Sequence, residues 1–376
     1  MGDGAAWSAI DRYLSVSSVS TDFEPSFQAV DDAGVHWLRI IALANAHLVA
    51  PALWTTLGTT LGHPEFRGHA PDDVRSYLAL LHRENAARNT RLHQQCVEIG
   101  STLAGAGLQA ALLKGVVWLF DGSTAAPADR MMRDIDLLVA ADDVDAAVRA
   151  LVASGYRNTL ESLAVPGHFH HAPLVPTGGE AVVEIHRDLS YRNNMLPAGD
   201  VIASATEIAP GLLLPTPRHR IVHNVIHGQI ENGDWAGGVF SLRDSLDLAR
   251  LMMRHGSEID WRSLADSARQ GGFYRHLSGA IHLAHRGLGA PLPPAFADCA
   301  TGKFHAWRCL QQRRWLPSTI AEAIGGLARG VAWERDAYGL KLTSRWSLRA
   351  QLLVNARRAR RAKNAVKHLI SQSKGG

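Results

Sequence analysis

Apolar residues along this chain change period several times, and each change marks an element. Between residues 72 and 105, Val74, Tyr77, Leu78, Leu81, Leu92 and Cys96 recur at three- and four-residue intervals. Asp72 and Asp73 open that stretch and Gly105 and Gly107 close it, which predicts one long amphipathic helix. Ile40, Ile41, Leu43, Ala44 and Leu48 follow the same spacing until Pro51 interrupts it. A short apolar run, Gln109–Leu113, reads as a strand that stops at Lys114-Gly115, with a helix starting over Val116–Phe120. After the polar loop Asp121–Asp129, a strand is predicted over Met132–Ala140 and a helix over Asp142–Ser154. That helix carries Val144, Ala147, Val148 and Leu151 on one face and stops at Gly155. Two further strands, His168–Val175 and Ala181–Leu189, flank Pro176-Thr177-Gly178-Gly179 and read as a hairpin. Beyond Pro197 the texture turns helical, with segments near 217–230, 241–255, 259–270, 273–287 and 317–338.

These elements predict an α+β protein, a mixed β-sheet core flanked by N- and C-terminal helices. The divisions expected are a helical region at 1–74, a core at 75–200, a second helical region at 201–340 and a tail at 341–376. The 376 residues suffice for a sizeable core. Three cysteines, Cys96, Cys299 and Cys309, offer neither a disulfide framework nor a C-x-x-C metal spacing, which points to a reducing cytoplasm. The start of the chain lacks the basic flank and apolar core of a signal peptide, and no apolar run is long enough to span a membrane. The net charge of +4 is unevenly placed. From Lys341 onward the chain is rich in Lys and Arg and has no acid, so the remainder is mildly acidic. The tail reads either as a helix packed on the acidic body or as a contact for RNA, a membrane surface or an acidic partner.

The chemistry concentrates in Arg133-Asp134-Ile135-Asp136-Leu137-Leu138-Val139. Strand alternation puts Asp134 and Asp136 on one face, where two ionised carboxylates repel each other. A divalent cation with hard oxygen ligands removes that conflict. D-x-D alone is also common in turns, but its surroundings add weight. Val182-Val183-Glu184-Ile185-His186 carries Glu184 in mid-strand, a poor place for an acid unless its face is a site. If that strand lies beside the first, Glu184 is a third carboxylate. A strand, the Lys114-Gly115 turn and a helix in that order place backbone N–H groups at a helix N-terminus, where an anion can sit. Together these suggest a two-metal centre.

L-K-G (113–115), R-x-x-R-D-I-D-L-L-V (130–139), G-Y (155–156), V-V-E-I-H (182–186) and S-L-R-D-S-L-D-L-A-R-L (241–251) resemble the uncharacterised nucleotidyltransferase family of the DNA-polymerase-β-like superfamily. The resemblance covers roughly residues 75–255. It implies a nucleotidyltransferase-like core that depends on Mg²⁺ (or Mn²⁺) and moves a nucleoside monophosphate from an NTP such as ATP. It maps the metal ligands and catalytic residues onto Asp134, Asp136 and Glu184. Where the superfamily usually has Gly-Ser or Gly-Gly after the first strand, this chain has Lys114-Gly115. The acceptor it implies is a small molecule, peptide or protein, consistent with a natural-product setting. Two rival readings are a transferase using a nucleotide sugar and a catalytically silent nucleotide-binding regulator.

Lys114, Gly115, Arg130 and Arg133 are the expected nucleotide contacts, each with a plainer reading as a turn residue or a charge balance. His171 and His186 are candidates for acid–base work or phosphate contact. His168, His170, His171 and His186 also raise zinc, but four ligands cannot be assembled from them. His223 and His227 stand four apart, yet Asn224 occupies the position where a zincin needs glutamate, which excludes that motif.

Overall fold

The structure, a computed structural model, describes residues 37–61, 70–122, 126–158, 169–190 and 195–315. All lie within the first of the chain's two compact units, Met1–Arg329. The basic tail and the helix expected at 317–338 fall outside the described residues.

Seven strands form one mixed sheet. They are β1 (Ala110–Leu112), β2 (Asp134–Leu138), β3 (Tyr156–Asn158), β4 (Leu174–Pro176), β5 (Val182–His186), β6 (Thr206–Ala209) and β7 (Leu212–Leu214). Their order across the sheet is β3-β4-β5-β2-β1-β7-β6. β2 is central, antiparallel to β1 and parallel to β5, while β7 runs parallel to β1. The expected hairpin is present as the antiparallel β4–β5 pair. Its first arm is shorter than predicted. Residues 169–173 form no strand and join β5 through an isolated bridge between His170 and His186, so simple alternation does not place their side chains. β6 and β7 come from the region read as wholly helical and extend the sheet beyond β1.

The helices used below are α1 (Trp37–Ala46), α2 (Ala50–Leu61), α3 (Asp72–Gly105), α4 (Val144–Ala153), α5 (Ala198–Ser204), α6 (Pro217–Val225), α7 (Leu242–His255), α8 (Trp261–Gln270), α9 (Tyr274–Leu288) and α10 (Ala300–Trp315). Pro51, which ends the first helical pattern, sits in the opening turn of α2, where its missing N–H has no partner to lose. α4 buries Val144, Ala147, Val148 and Leu151, the face its periodicity predicts, and the chain leaves it through Gly155 at φ +104°.

Alternation in β2 and β5 divides the sheet's two faces between two cores. Ile135, Leu137, Val183 and Ile185 pack with α4 and the C-terminal half of α3. Leu138, with Ala111, Leu113 and Leu213, packs instead with α6, α7 and α9. Asp134 and Asp136 share Leu138's face. The acids therefore lie on the side of the sheet that the C-terminal helices cover.

Helix α3 holds the starts of both central strands. Its apolar stripe is broken by the buried amides Asn85, Asn89 and Gln95. Asn85 Nδ2 donates to Ala128 O at 2.7 Å, and Asn89 Nδ2 donates to Arg130 O at 2.8 Å. Arg88 reaches Met132 O at 2.6 Å. Gln95 donates to Ala181 O at 2.8 Å and accepts from the N–H groups of Glu180 and Ala181. These bonds satisfy backbone groups that would otherwise be buried unpaired.

The segment before β2 is also locked to α7 by reciprocal ion pairs. Arg130 donates twice to Asp247, at 3.0 and 2.8 Å, with both side chains buried. Next to it, Asp129 accepts from Arg250 at 2.5 Å and from Thr55 of α2. Removing one partner of a buried pair strands the other charge, a loss of about 3–5 kcal/mol. Asp247→Asn is expected to lower the melting temperature accordingly, while Arg130→Met with Asp247→Leu should recover much of the loss. Thermal unfolding followed by circular dichroism checks both. A drop of under ~1 kcal/mol for Asp247→Asn would show that the pair does not fasten this segment.

Candidate active site

The parallel register of β2 and β5 sets Asp136 directly opposite Glu184 and Leu138 opposite His186. Glu184 and His186 share a face of β5 by period two, so three chemically active side chains meet beside the sheet's central pair. Asp136 is buried. Its Oδ1 lies 2.8 Å from His186 Nε2 and 2.6 Å from Lys114 Nζ. His186 Nε2 also lies 3.8 Å from a Glu184 carboxylate oxygen. One ligand atom from each of Asp136, Glu184 and His186 falls within 4.8 Å of the others. Asp134 stands outside that set, half-buried at the start of β2 opposite Val182.

Lys114 reaches Asp136 at the cost of its backbone. Its φ is +52°, in the left-handed region that side chains disfavour by roughly 1–2 kcal/mol. Gly115 does not occupy that special conformation. It is buried, and a Cβ there would come within 2.6 Å of Met132 Cγ, so its smallness admits the chain leading into β2. The turn expected after β1 is therefore real, and lysine rather than glycine takes its left-handed position. A 3₁₀ turn, Lys114–Leu119, follows.

The other expected contacts are dispersed. Arg130 lines the cavity beside the cluster but is committed to Asp247 and to Met131 O. Arg133 is exposed. His171 is half-buried, with Nδ1 2.8 Å from Ala172 O, and His170 Nδ1 lies 2.9 Å from His171 O. Of the four histidines considered for zinc, only His186 joins the acids among the described residues. His168 lies outside them.

The electrostatics follow from placing three carboxylates near one ammonium. Burial alone would push the Asp136 carboxyl up, but the His186 hydrogen bond and the Lys114 charge outweigh it and hold it well below the ordinary range. Burial and then the Asp136 charge push the Glu184 carboxyl up to about 7, against the opposing pull of Lys114. Asp134 is raised for the same two reasons. Burial opposes the Lys114 ammonium, but Asp136, Glu184 and Asp134 override it and raise the group. His186 Nδ1, on the far side of the ring from the Asp136 contact, is buried and has no hydrogen-bond partner among the described residues. Two acids and an imidazole fit a divalent cation, and the unpaired nitrogen shows that His186 is not held by a complete network of its own.

A cavity of about 60 Å³ opens beside Lys114, walled by α6, the π-helical turn Ile226–Glu231 and α7. His219, His223, Asn224, His227 and Arg243 line it. Sequence reasoning tested His223 and His227 only against the zincin motif and passed over Arg243. The available signal was the clustering of His, Asn and Arg on two amphipathic segments of the region matched by resemblance.

Residues 33–289 match the family model for uncharacterised nucleotidyltransferases. The match covers more than half of the chain, and the protein belongs to that family. No curated protein and no solved structure gives a significant match.

A pH dependence follows from Glu184. Its folded-state value of about 7 lies above the ordinary ~4.3 of a free glutamate, so the folded protein holds the extra proton between them. Its contribution is fully present below ~4.3 and disappears as pH rises through 7. Histidines held low, such as His227 at about 4, act oppositely in part of that window. The readout is therefore the difference between wild type and Glu184→Gln, without divalent metal. From pH 5 to 8 the variant should gain about 1–3 kcal/mol on wild type. Parallel melting-temperature profiles would show that Glu184 does not hold that proton.

Proposed function

We propose that this protein is a metal-dependent nucleotidyltransferase that moves an NMP group from an NTP to an acceptor hydroxyl or phosphate. One observation carries the reading: the Asp136–Glu184 register pair, joined by His186, is linked through the Lys114 ammonium to a cavity that Lys114 lines. Asp136 and Glu184 offer hard oxygen ligands side by side on neighbouring strands, a donor set that suits a divalent cation. Family membership supplies the reaction class.

Asp136, Glu184 and His186 would hold Mg²⁺ or Mn²⁺, with the imidazole favouring Mn²⁺ over the harder ion. Asp134 is the fourth group within electrostatic reach. When bound, the cation supplies Lewis-acid stabilisation of charge on the transferred phosphoryl group. Lys114 would share Asp136 with the cation or give it up, since its ammonium already lies 2.6 Å from Asp136 Oδ1. Freed from Asp136, the ammonium faces the donor's phosphates as a point charge. The acceptor, whether small molecule, peptide or protein, approaches on the face covered by the C-terminal helices. No helix among the described residues is long and apolar enough to cross a membrane.

Two measurements test this. Mass spectrometry of acceptor pools incubated with the protein, Mg²⁺ or Mn²⁺ and each NTP should show a gain of one NMP, abolished by Asp136→Asn or Glu184→Gln. A hexose gain with a nucleotide sugar would transfer the scaffold to glycosyl chemistry, and NMP transfer surviving Asp136→Asn would remove the acids from catalysis. Lys114→Gly, whose backbone accepts a positive φ freely, should bind Mn²⁺ more tightly than wild type in the absence of nucleotide. With metal present, the same variant should bind NTP more weakly by roughly 1–3 kcal/mol. Calorimetry reads both. Unaltered Mn²⁺ affinity would show that Lys114 does not compete for the site.

A further inference from the structure

The cavity beside Asp136 carries more positive charge than the carboxylate cluster uses. Lys114, Arg130, Arg220 and Arg243 line it against the acids Asp244 and Asp247. Two of the guanidiniums are committed elsewhere. Arg130 grips Asp247, and Arg220 donates to Asp121 at 2.8 Å while covering the Trp118 ring. Arg243 is different. Only its Nε is engaged, at 3.3 Å from the adjacent Asp244, whose carboxylate also accepts from Ser241 Oγ. The two Nη groups of Arg243 have no protein partner among the described residues, and the side chain is 28% exposed.

His223 is 7% exposed and lines the same cavity. Its ring lies 6.2 Å from the ring of His227 and makes no hydrogen bond among the described residues. His227 Nε2 has only a long contact, 3.4 Å from Asn232 Nδ2. A buried imidazole with both nitrogens unspent calls for a polar ligand. His227 belongs to a π-helical turn, a distortion that recurs at functional sites.

We propose that this cavity is a phosphate seat, in which the Arg243 guanidinium and the His223 and His227 imidazoles hold a phosphate group beside the Asp136–Glu184 cluster. The planar Nη pair suits two phosphate oxygens at once. Burial, then the neighbouring His227, keeps His223 neutral well below the ordinary imidazole range, and burial and the Lys114 charge hold His227 down to about 4. Each ring thus offers an N–H to an anion at neutral pH without repelling the metal-binding side. Asp244 and Asp247 face the same space, but each already accepts from an arginine. The transferase reading bears only on the phosphate's owner, either the tail of the donor triphosphate or a phosphate on the acceptor. The seat itself rests on the geometry.

Calorimetry on the full chain, with inorganic pyrophosphate and a non-hydrolysable NTP as separate probes and no divalent metal, tests the proposal. Wild type should bind pyrophosphate, and Arg243→Gln and His223→Gln should each weaken that binding at least about tenfold, or ~1.4 kcal/mol. NTP affinity falling in parallel assigns the seat to the donor. NTP affinity holding while pyrophosphate binding is lost assigns it to the acceptor. Arg243 is half-exposed in the first turn of α7, so Arg243→Gln decides the matter alone if His223→Gln lowers the melting temperature. Wild type that binds no pyrophosphate, or Arg243→Gln that binds it equally well, overturns the seat. The NMP-transfer assay is read separately and would stand or fall independently.

Discussion

The structure turns on one buried negative charge. Asp136 lies in the middle of the central strand with almost no contact with water. A lone carboxylate there is costly enough to take up a proton. It stays ionised because two groups arrive from opposite directions, His186 from the parallel neighbour and Lys114 from the turn after β1. Each arrival constrains the chain. His186 depends on the β2–β5 register, and a slip by one residue would turn its ring to the opposite face. Lys114 depends on a backbone conformation that most residues avoid. Glu184 then bears the consequence, since Asp136 holds the charge that Glu184 would otherwise share.

Much of the remaining architecture fixes where that charge sits. The amides of α3 hold the chain on the approach to β2 and to β5 from a single helix, so the two acid-bearing strands share one reference. The Asp129–Arg250 and Arg130–Asp247 pairs tie the same approach to α7. Arg130, expected on sequence grounds to grip a nucleotide, is therefore committed to a structural partner, although it still borders the cavity.

Periodicity made a good part of this legible. The span of α3, the buried face of α4, strands β1, β2 and β5, and helices α6 to α9 all carry regular apolar spacing. The acids Asp134, Asp136 and Glu184 could be singled out because charge interrupts apolar strands there. What stayed hidden depends on contacts distant in sequence. Asp247 lies 117 positions from Arg130, and no spacing rule connects them. The amides of α3 read as lapses in an apolar stripe until their carbonyl partners are seen. β6 and β7 are too short for alternation to register, and α10 has little amphipathic signal. Asp134 and Asp136 share a strand face, yet only Asp136 joins Glu184 and His186, because His186 lies further along β5 and its ring reaches back. Alternation fixes a side and leaves depth undetermined.

The carboxylate cluster and the cavity that Lys114 lines differ in how they are built. Asp136, Glu184 and His186 stand on strands, whereas His223, His227 and Arg243 stand on a helix that widens into a π turn and on the first turn of the helix after it. Change can therefore accumulate unequally. Substitutions at the cavity-lining positions of α6 and the start of α7 would alter the cavity wall, whereas the acids are set by the β2–β5 register. On the proposed reading, a change in what the cavity holds would be written on α6 and α7, and the paired acids alone would not report the substrate.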